Sequence, residues 1–428
     1  MGLNAFASAA RLRDIRNRLL WVFGLFAVFV LMVHIPVPGI DLNTWNQLLA
    51  KGGDLINFLG MFTGGALNKF SIGAMGITPY INASIIMQLL THVIPKLHDL
   101  QKEGGELGRR QIAQYVRYGT MGLAIMQATI MSLNLSRFGV FYNNNWQQIV
   151  LTVLALTAGT AFLMWLGEQL TDKGIGNGVS LIIFAGIVLA YPSYVSNVLA
   201  TANVAGPAYW FSIGIFMVLF VLLVAGIVAL TQGQRKIPVQ YAKRQVGRRV
   251  YGGQNTYIPI RVNNAGVISI IFAISIMYLP GTFIRAFNPN PLPGTWTFSV
   301  LQFFSADSVF FNLTYALLVI FFTYFYAGIQ FNPIDVADNM KKYGGFIPGI
   351  RPGRPTGEYL EKILNRVTFV AAIALALIAV VPTYIIMLTG VQFYLGSTSL
   401  LIIVGVALDT MQQIEARLVM RNYQGFMK

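Results

Sequence analysis

The sequence predicts an all-α, polytopic membrane protein: ten transmembrane helices in two inverted five-helix halves, with a short half-helix after the first span. Three observations lead there. The 428-residue chain is 55% hydrophobic and only 11% charged, whereas a soluble domain carries roughly 25% charged residues. Apolar runs of the length a bilayer requires, ~20 residues each, recur ten times. The basic residues gather on alternate loops, which fixes an orientation.

The spans fall at about 19–36, 71–94, 116–134, 148–170, 179–199, 209–231, 265–285, 308–328, 367–389 and 396–414. With the N-terminus inside, all of the 30 Lys and Arg except Lys51, Lys69, Arg137 and Arg285 lie on the cytoplasmic side. That asymmetry sets the topology and requires an even number of spans. The expected organisation is a cytoplasmic tail (1–18), an N-terminal half (19–200), a C-terminal half (201–414) with cytoplasmic loops 232–264 and 329–366, and a cytoplasmic tail (415–428). Five crossings reverse direction, so two similar halves would be inverted, with the functional site between them near the midplane. The basic start, MGLNAFASAARLRDIRNR, leads into a full span with no small-residue cleavage site, so no cleaved signal is expected.

Residues 52–94 differ from the other runs. They are too long for one span and too broken for two. Their only charges are Asp54 and Lys69, and Gly60, Gly64, Gly65, Gly73, Gly76 and Pro79 interrupt them. The pattern predicts a half-helix over 55–69 and a full span over 71–94. Irregular backbone at membrane depth survives only inside protein or against a water-filled cavity, and interrupted segments point to a transport pathway. Two ordinary helices with glycines at close contacts are the alternative.

The two long loops are basic. Residues 232–262 read as a β-hairpin turning at Gly252–Gly253. In 330–366, Pro348, Pro352 and Pro355 with neighbouring glycines predict a fixed turn with Arg351 and Arg354 at its tip. These loops suit plain positive-inside topology, or a docking surface for ribosomal RNA or an acidic motor.

Several functions are disfavoured. Ion-coupled carriers use carboxylates or histidines at the midplane. Here Glu168 and Asp409 lie near cytoplasmic ends, where simple solvation is expected, Asp307 borders the eighth span and His34 an outer end. The chain has no cysteine, which excludes disulfides and thiolate metal sites. His34, His92 and His98 lack HExxH spacing. No span carries a GxSG, GxGD or HExxH motif, so neither an intramembrane enzyme nor a cofactor is expected. GIGNG (174–178) follows no strand, and there is no Walker A motif, so energy must come from outside.

At FNPIDVADNMKKYGGFIPGIRPG (331–353), YAKRQVGRRVY (241–251), MWLGEQLTDKGIGNGVSLIIFAGIV (164–188), MFTGGALNKFSIGAMGITPYINASIIMQLL (61–90) and RRQIAQYVRYGT (109–120), the chain resembles the SecY family, central subunits of the bacterial Sec protein-conducting channel. The resemblance covers essentially the whole length. It implies that 55–69 is the plug of the outer funnel, with Leu55, Phe58, Met61, Phe62, Gly64, Gly65 and Leu67 as its characteristic positions. It implies a pore ring of Ile77, Ile81, Val179, Ile183, Ile271 and Ile402, with valine at 179 where the family often has isoleucine. A ring of stiff β-branched side chains gates by dewetting. It implies a lateral gate with Asn82, Gln88, Ser275, Leu279 and Thr398. Arg244, Arg248, Arg249 and Arg351 match cytoplasmic docking positions. The implied partners are the small subunits SecE and SecG, the SecA motor ATPase, the ribosome, signal peptides and nascent chains, and anionic membrane lipids. The implied location is the bacterial inner membrane.

Overall fold

The computed structural model describes residues 12–51, 63–102, 104–143, 145–241, 244–246, 249–251, 255–264, 266, 268–287, 294–304, 308–391 and 397–425. In chain order the first helices are α1 (Arg13–Val33), α2 (Leu42–Lys51), α3 (Thr78–Val93), α4 (Pro95–Lys102), α5 (Gly105–Arg137), α6 (Trp146–Lys173), α7 (Gly178–Ala205) and α8 (Pro207–Gln232). Strands β1 (Gln234–Tyr241), β2 (Arg244–Val246), β3 (Arg249–Tyr251) and β4 (Asn255–Arg261) follow. Then come α9 (Ile268–Phe287), α10 (Trp296–Phe303), α11 (Val309–Gln330), α12 (Pro333–Lys342), β5 (Gly345–Phe346), α13 (Arg354–Thr389) and α14 (Ser397–Gly425).

Each of the ten expected spans coincides with a helix. Among the described residues, seven helical stretches are by themselves long and apolar enough to cross a membrane; α3, α5 and α9 are not among them. Helix α3 has 16 residues, or ~24 Å at 1.5 Å per residue, less than a hydrocarbon core of ~30 Å. The span expected over 71–94 is corrected accordingly: residues 72–77 are turns, and α3 leaves the remaining depth to them. Helix α5 fails on polarity, because even its uncharged stretch 119–136 is diluted by Gln127, Asn134 and several Gly, Ser and Thr. The loop expected over 329–366 is also largely helical. It contains α12, which Asn332 caps through its side-chain oxygen on the amides of Ile334 and Asp335, and the first turns of α13.

The chain forms two compact units. The first comprises Met1–Tyr209, Gly281–Leu301 and Gln392–Lys428; the second comprises Trp210–Pro280 and Gln302–Val391. In the first, α5 packs against α3 and α6, α6 against α1 and α7, and α14 against α7. The start of α1, the turn 174–177 and the far part of α14 meet in a cluster of Ile15, Ile175 and Ile414, flanked by Leu12, Leu19 and Leu418. Polar bonds reinforce that cluster: Arg18 donates to the Gly174 carbonyl at 3.2 Å, and the Gly176 amide to Gln413 Oε1 at 2.9 Å. The start of α1 and the far part of α14 thus lie at one end of this unit.

In the second unit α11 packs along α13, and a three-stranded sheet of order β4-β1-β5 covers a small core of its own. That core consists of Ile237, Val239, Ile260, Met340, Ile347, Leu360 and Leu364. The sheet's alternation explains it: Ile237 and Val239 are buried while Lys236 and Pro238 are exposed. The hairpin is present, but its turn is not at Gly252–Gly253. Strand β1 pairs β4 from Gln234↔Arg261 to Gln240↔Asn255, and β2 pairs β3 from Arg244↔Tyr251 to Val246↔Arg249. One register runs through both pairs, so the chain reverses between 246 and 249. A two-residue connection matches strand twist, and it overrides the local appeal of two adjacent glycines.

Candidate functional site

The stretch 63–77 is where the predicted half-helix and span were to meet. Its described part is a run of turns rather than helix, which corrects the half-helix expected over 55–69; Leu55, Phe58, Met61 and Phe62 lie outside the described residues. Glycine geometry explains the outcome. Gly64, Gly65 and Gly76 have φ of 66°, 81° and 59°, a left-handed backbone that ends a right-handed helix. Phe70 shares that region at φ 42°, which costs of order 1–3 kcal/mol in a non-glycine residue.

The surroundings hold this strain in place. Phe70 is fully buried. Its carbonyl accepts from the Val37 amide at 3.0 Å, and the Ile72 amide donates to Ile35 O at 3.0 Å. Trp45 of α2 donates its indole N–H to the Leu67 carbonyl at 2.9 Å and meets Phe70 edge-on, 5.0 Å between ring centroids. Helix α2 is itself anchored by Asp41, which accepts from Thr44 Oγ1 at 2.6 Å and from the Asn43 amide at 3.0 Å. Those bonds, the hydroxyl's first, hold the Asp41 carboxyl below the usual carboxylate range. Sequence reasoning passed over Trp45; a lone tryptophan in a mixed-polarity segment between spans was the available signal.

Two glycines let the stalk lie against helices. A side chain at Gly64 would press on the backbone of Gly186 in α7, at 3.2 Å, and one at Gly159 of α6 would run into the Ile72 carbonyl oxygen. The substitution Gly159→Ala is therefore expected to lower stability by about 1–3 kcal/mol, although alanine in a helix ordinarily gains about 1 kcal/mol over glycine. Thermal unfolding of the purified protein in detergent reads the sign, and a raised melting temperature would contradict the close packing.

The ring candidates of the first unit lie just beyond the stalk. Ile77 is buried at the N-cap of α3, and Ile81 is half-buried one turn later. Val179 is half-buried in the first turn of α7, with Ile183 buried on the same face. A methyl group built on Gly167 of α6 would touch Ile182 Cδ1 at 3.3 Å, Val179 Cγ2 at 3.5 Å and Ile77 Cδ1 at 3.7 Å. Ile77 and Val179 thus converge on one point of α6. Ile402 is buried on α14. Ile271, half-buried on α9, belongs to the second unit.

Of the gate candidates, Asn82 is half-buried and Gln88 exposed on α3, and Ser275 is half-buried on α9. The side chains of Leu279 and Thr398 lie outside the described residues. Gly64, Gly65 and the buried Leu67 complete the stalk. Glu168 departs from the expected simple solvation: its carboxylate accepts from Arg117 Nε at 2.7 Å, joining α6 to α5.

In the second unit Arg351 is exposed on a turn braced from both sides. The Ile350 amide donates to Ile347 O at 3.0 Å, Thr356 Oγ1 donates to Arg351 O at 2.8 Å, and Gly349 and Gly353 take φ of 83° and 102°. Arg354 begins α13 beside it, paired with Glu358 at 3.4 Å. Arg244 and Arg249 fall on β2 and β3, with side chains outside the described residues, as is Arg248 entirely.

Helices at all ten expected spans, an irregular stalk (63–77) largely buried in protein between the first two of them, and a basic sheet between later ones fit a multi-pass membrane channel. A sequence model of the SecY family matches residues 71–411. Protein translocase subunit SecY of Streptomyces galbus is 45% identical over 100% of both chains, and that of Thermotoga maritima is 42% identical over 99% of this chain and 97% of its own. The chain belongs to the SecY family of protein translocase subunits. Solved structures agree in fold. A protein-conducting channel superposes with TM-score 0.65 at 16% identity, covering 94% of this chain and 93% of its own. Sec61 in the canine ribosome–channel complex superposes with TM-score 0.61 at 16% identity, covering 94% and 93%.

Proposed function

We propose that this chain forms the channel through which unfolded secretory polypeptides cross the bacterial inner membrane, and from which apolar segments pass sideways into lipid. The observation that carries the reading is the buried stalk 63–77, which leads directly to Ile77 and Ile81 and lies beside Val179 on α7. In this reading the two five-helix halves are inverted, both termini are cytoplasmic, and 55–69 plugs the outer funnel. Ile77, Ile81, Val179, Ile183, Ile271 and Ile402 form the dewetting constriction. Asn82, Gln88, Ser275, Leu279 and Thr398 line the gate, where interhelical hydrogen bonds of only ~0.6 kcal/mol let a polar seam part.

SecE and SecG supply membrane helices. The strongest argument for such a partner is α8, whose most apolar 18-residue stretch has a mean hydropathy of 3.1 with only 11% of its residues buried. The motor SecA or the ribosome supplies the drive, docking on Arg244, Arg248, Arg249 and Arg351. Ribosome binding is described for Sec61 in its complex and for the yeast Ssh1 complex. Signal peptides, nascent chains and anionic lipids are the remaining partners.

The test is reconstitution. Proteoliposomes containing this chain, SecE and SecA are expected to take up an unfolded secretory precursor into a protease-protected state when ATP is added. A fully assembled complex that protects none would overturn the assignment.

A further inference from the structure

Helix α2 is held from two sides, and the two sides differ. Its base is fixed to the connection between α5 and α6. The Asp41 amide donates to the Val140 carbonyl at 2.8 Å and the Tyr142 amide to Gly39 O at 3.2 Å, while Gln148 Nε2 donates to the Pro38 carbonyl at 2.5 Å. Its other side rests on the stalk. Ten residues are fewer than the ~12–15 that an isolated helix needs in water, so α2 depends on docking. Trp45 is the docking residue: it is buried, whereas Leu42, Asn43, Asn46 and Gln47 are exposed.

What Trp45 grips is a turn of the kind that ends helices. The Ser71 amide donates to Ala66 O at 2.8 Å and the Phe70 amide to Leu67 O at 3.1 Å, the pair of bonds that closes a helix through a left-handed residue. Glycine usually fills that place; here Phe70 does, at φ 42°. The Leu67 carbonyl therefore accepts twice, from the Phe70 amide and from the Trp45 indole at 2.9 Å. Trp45 thus orients the carbonyl that sets the turn, and its ring braces the strained phenylalanine edge-on.

The two ends of this turn are secured differently. At 70–72 the stalk is sewn to the segment after α1 by backbone bonds, Val37 to Phe70 and Ile72 to Ile35. Toward residue 63 the grip comes through the Trp45 side chain. At Gly64 the neighbour is the glycine backbone of α7, a contact that can slide, whereas a hydrogen bond weakens steeply once misaligned. We propose that α2 is a latch and Trp45 a positioning residue of the resting channel: release of its bond and ring contact frees 63–69 to swing about 70–72. The proposal rests on the channel reading above.

The chain has no cysteine, so a single introduced thiol reports local opening. Ala66, beside the grip, and Ala128 of α5, in the core that Trp45 joins, are both 0% exposed. The SecE-containing complex in nanodiscs is treated with a water-soluble maleimide, and a buried thiol reacts at a rate set by the open fraction. W45F keeps an aromatic ring and loses the indole donor. It should speed labelling of A66C about fivefold, the worth of one hydrogen bond. W45A loses both contacts and should speed it ~20-fold or more. A128C should label at an unchanged rate in each background, and idle conductance in planar bilayers should rise in the same order as A66C labelling. Unchanged A66C labelling in a folded W45A, or in W45F should W45A not fold, would overturn the latch. So would equal acceleration at A128C, the mark of a core loosened as a whole, or a conductance indifferent to both variants. The channel reading fails separately: a complex that labels as expected yet passes no precursor sinks that reading and leaves the latch standing.

Discussion

Arg351→Glu is expected to cut motor-driven translocation by roughly two orders of magnitude or more while the protein still folds and inserts. The reasoning starts from rigidity. The braced turn at Gly349–Gly353 presents the guanidinium from a fixed point, and Ile350 seats the turn against the core beneath the sheet. An exposed side chain can change sign at little folding cost, within about 0.5 kcal/mol. At a docking interface, replacing attraction by like-charge repulsion costs several kcal/mol. ATP-driven precursor uptake should collapse while membrane yield and melting temperature hold. Normal uptake by this variant would remove Arg351 from the docking surface.

The second large effect concerns the seal. Replacing Ile81 and Val179 together by asparagine is expected to raise idle ion conductance by about tenfold or more, because an apolar constriction blocks ions by excluding water. These two positions are chosen because both are half-buried, so the change removes little packed core, unlike Ile77 or Ile402 at 3% and 2% exposure. Ile86→Asn, on the same helix but 48% exposed, is the control and should leave the bilayer tight. Planar-bilayer recordings distinguish the cases. Silence from the double variant would place the barrier elsewhere.

The spans were legible because hydropathy is a long-range average, and ten runs survive errors at their ends. Their extents were less legible. Helices α5 and α13 carry polar turns ahead of the apolar window, so composition starts them too late. The half-helix over 55–69 was misjudged in its described part because α-helical composition cannot outweigh left-handed glycines at 64 and 65. The hairpin turn was placed by a glycine pair, while the register is decided by which residues reach the buried face. The ring positions carried no signal of their own: isoleucine facing lipid and isoleucine at a constriction look alike in a sequence, and only the resemblance singled them out. Trp45 and the Arg117–Glu168 pair needed three dimensions, since their partners lie 22 and 51 residues away.

The clustering of Ile15, Ile175 and Ile414 has a consequence for biogenesis. Helix α14 is made last, yet it completes the unit begun by α1. The earliest helices must therefore wait in the bilayer, unfinished, through the synthesis of the whole second unit. A chain stalled before residue 397 would leave Ile15 and Ile175 without Ile414, an open apolar notch at that end.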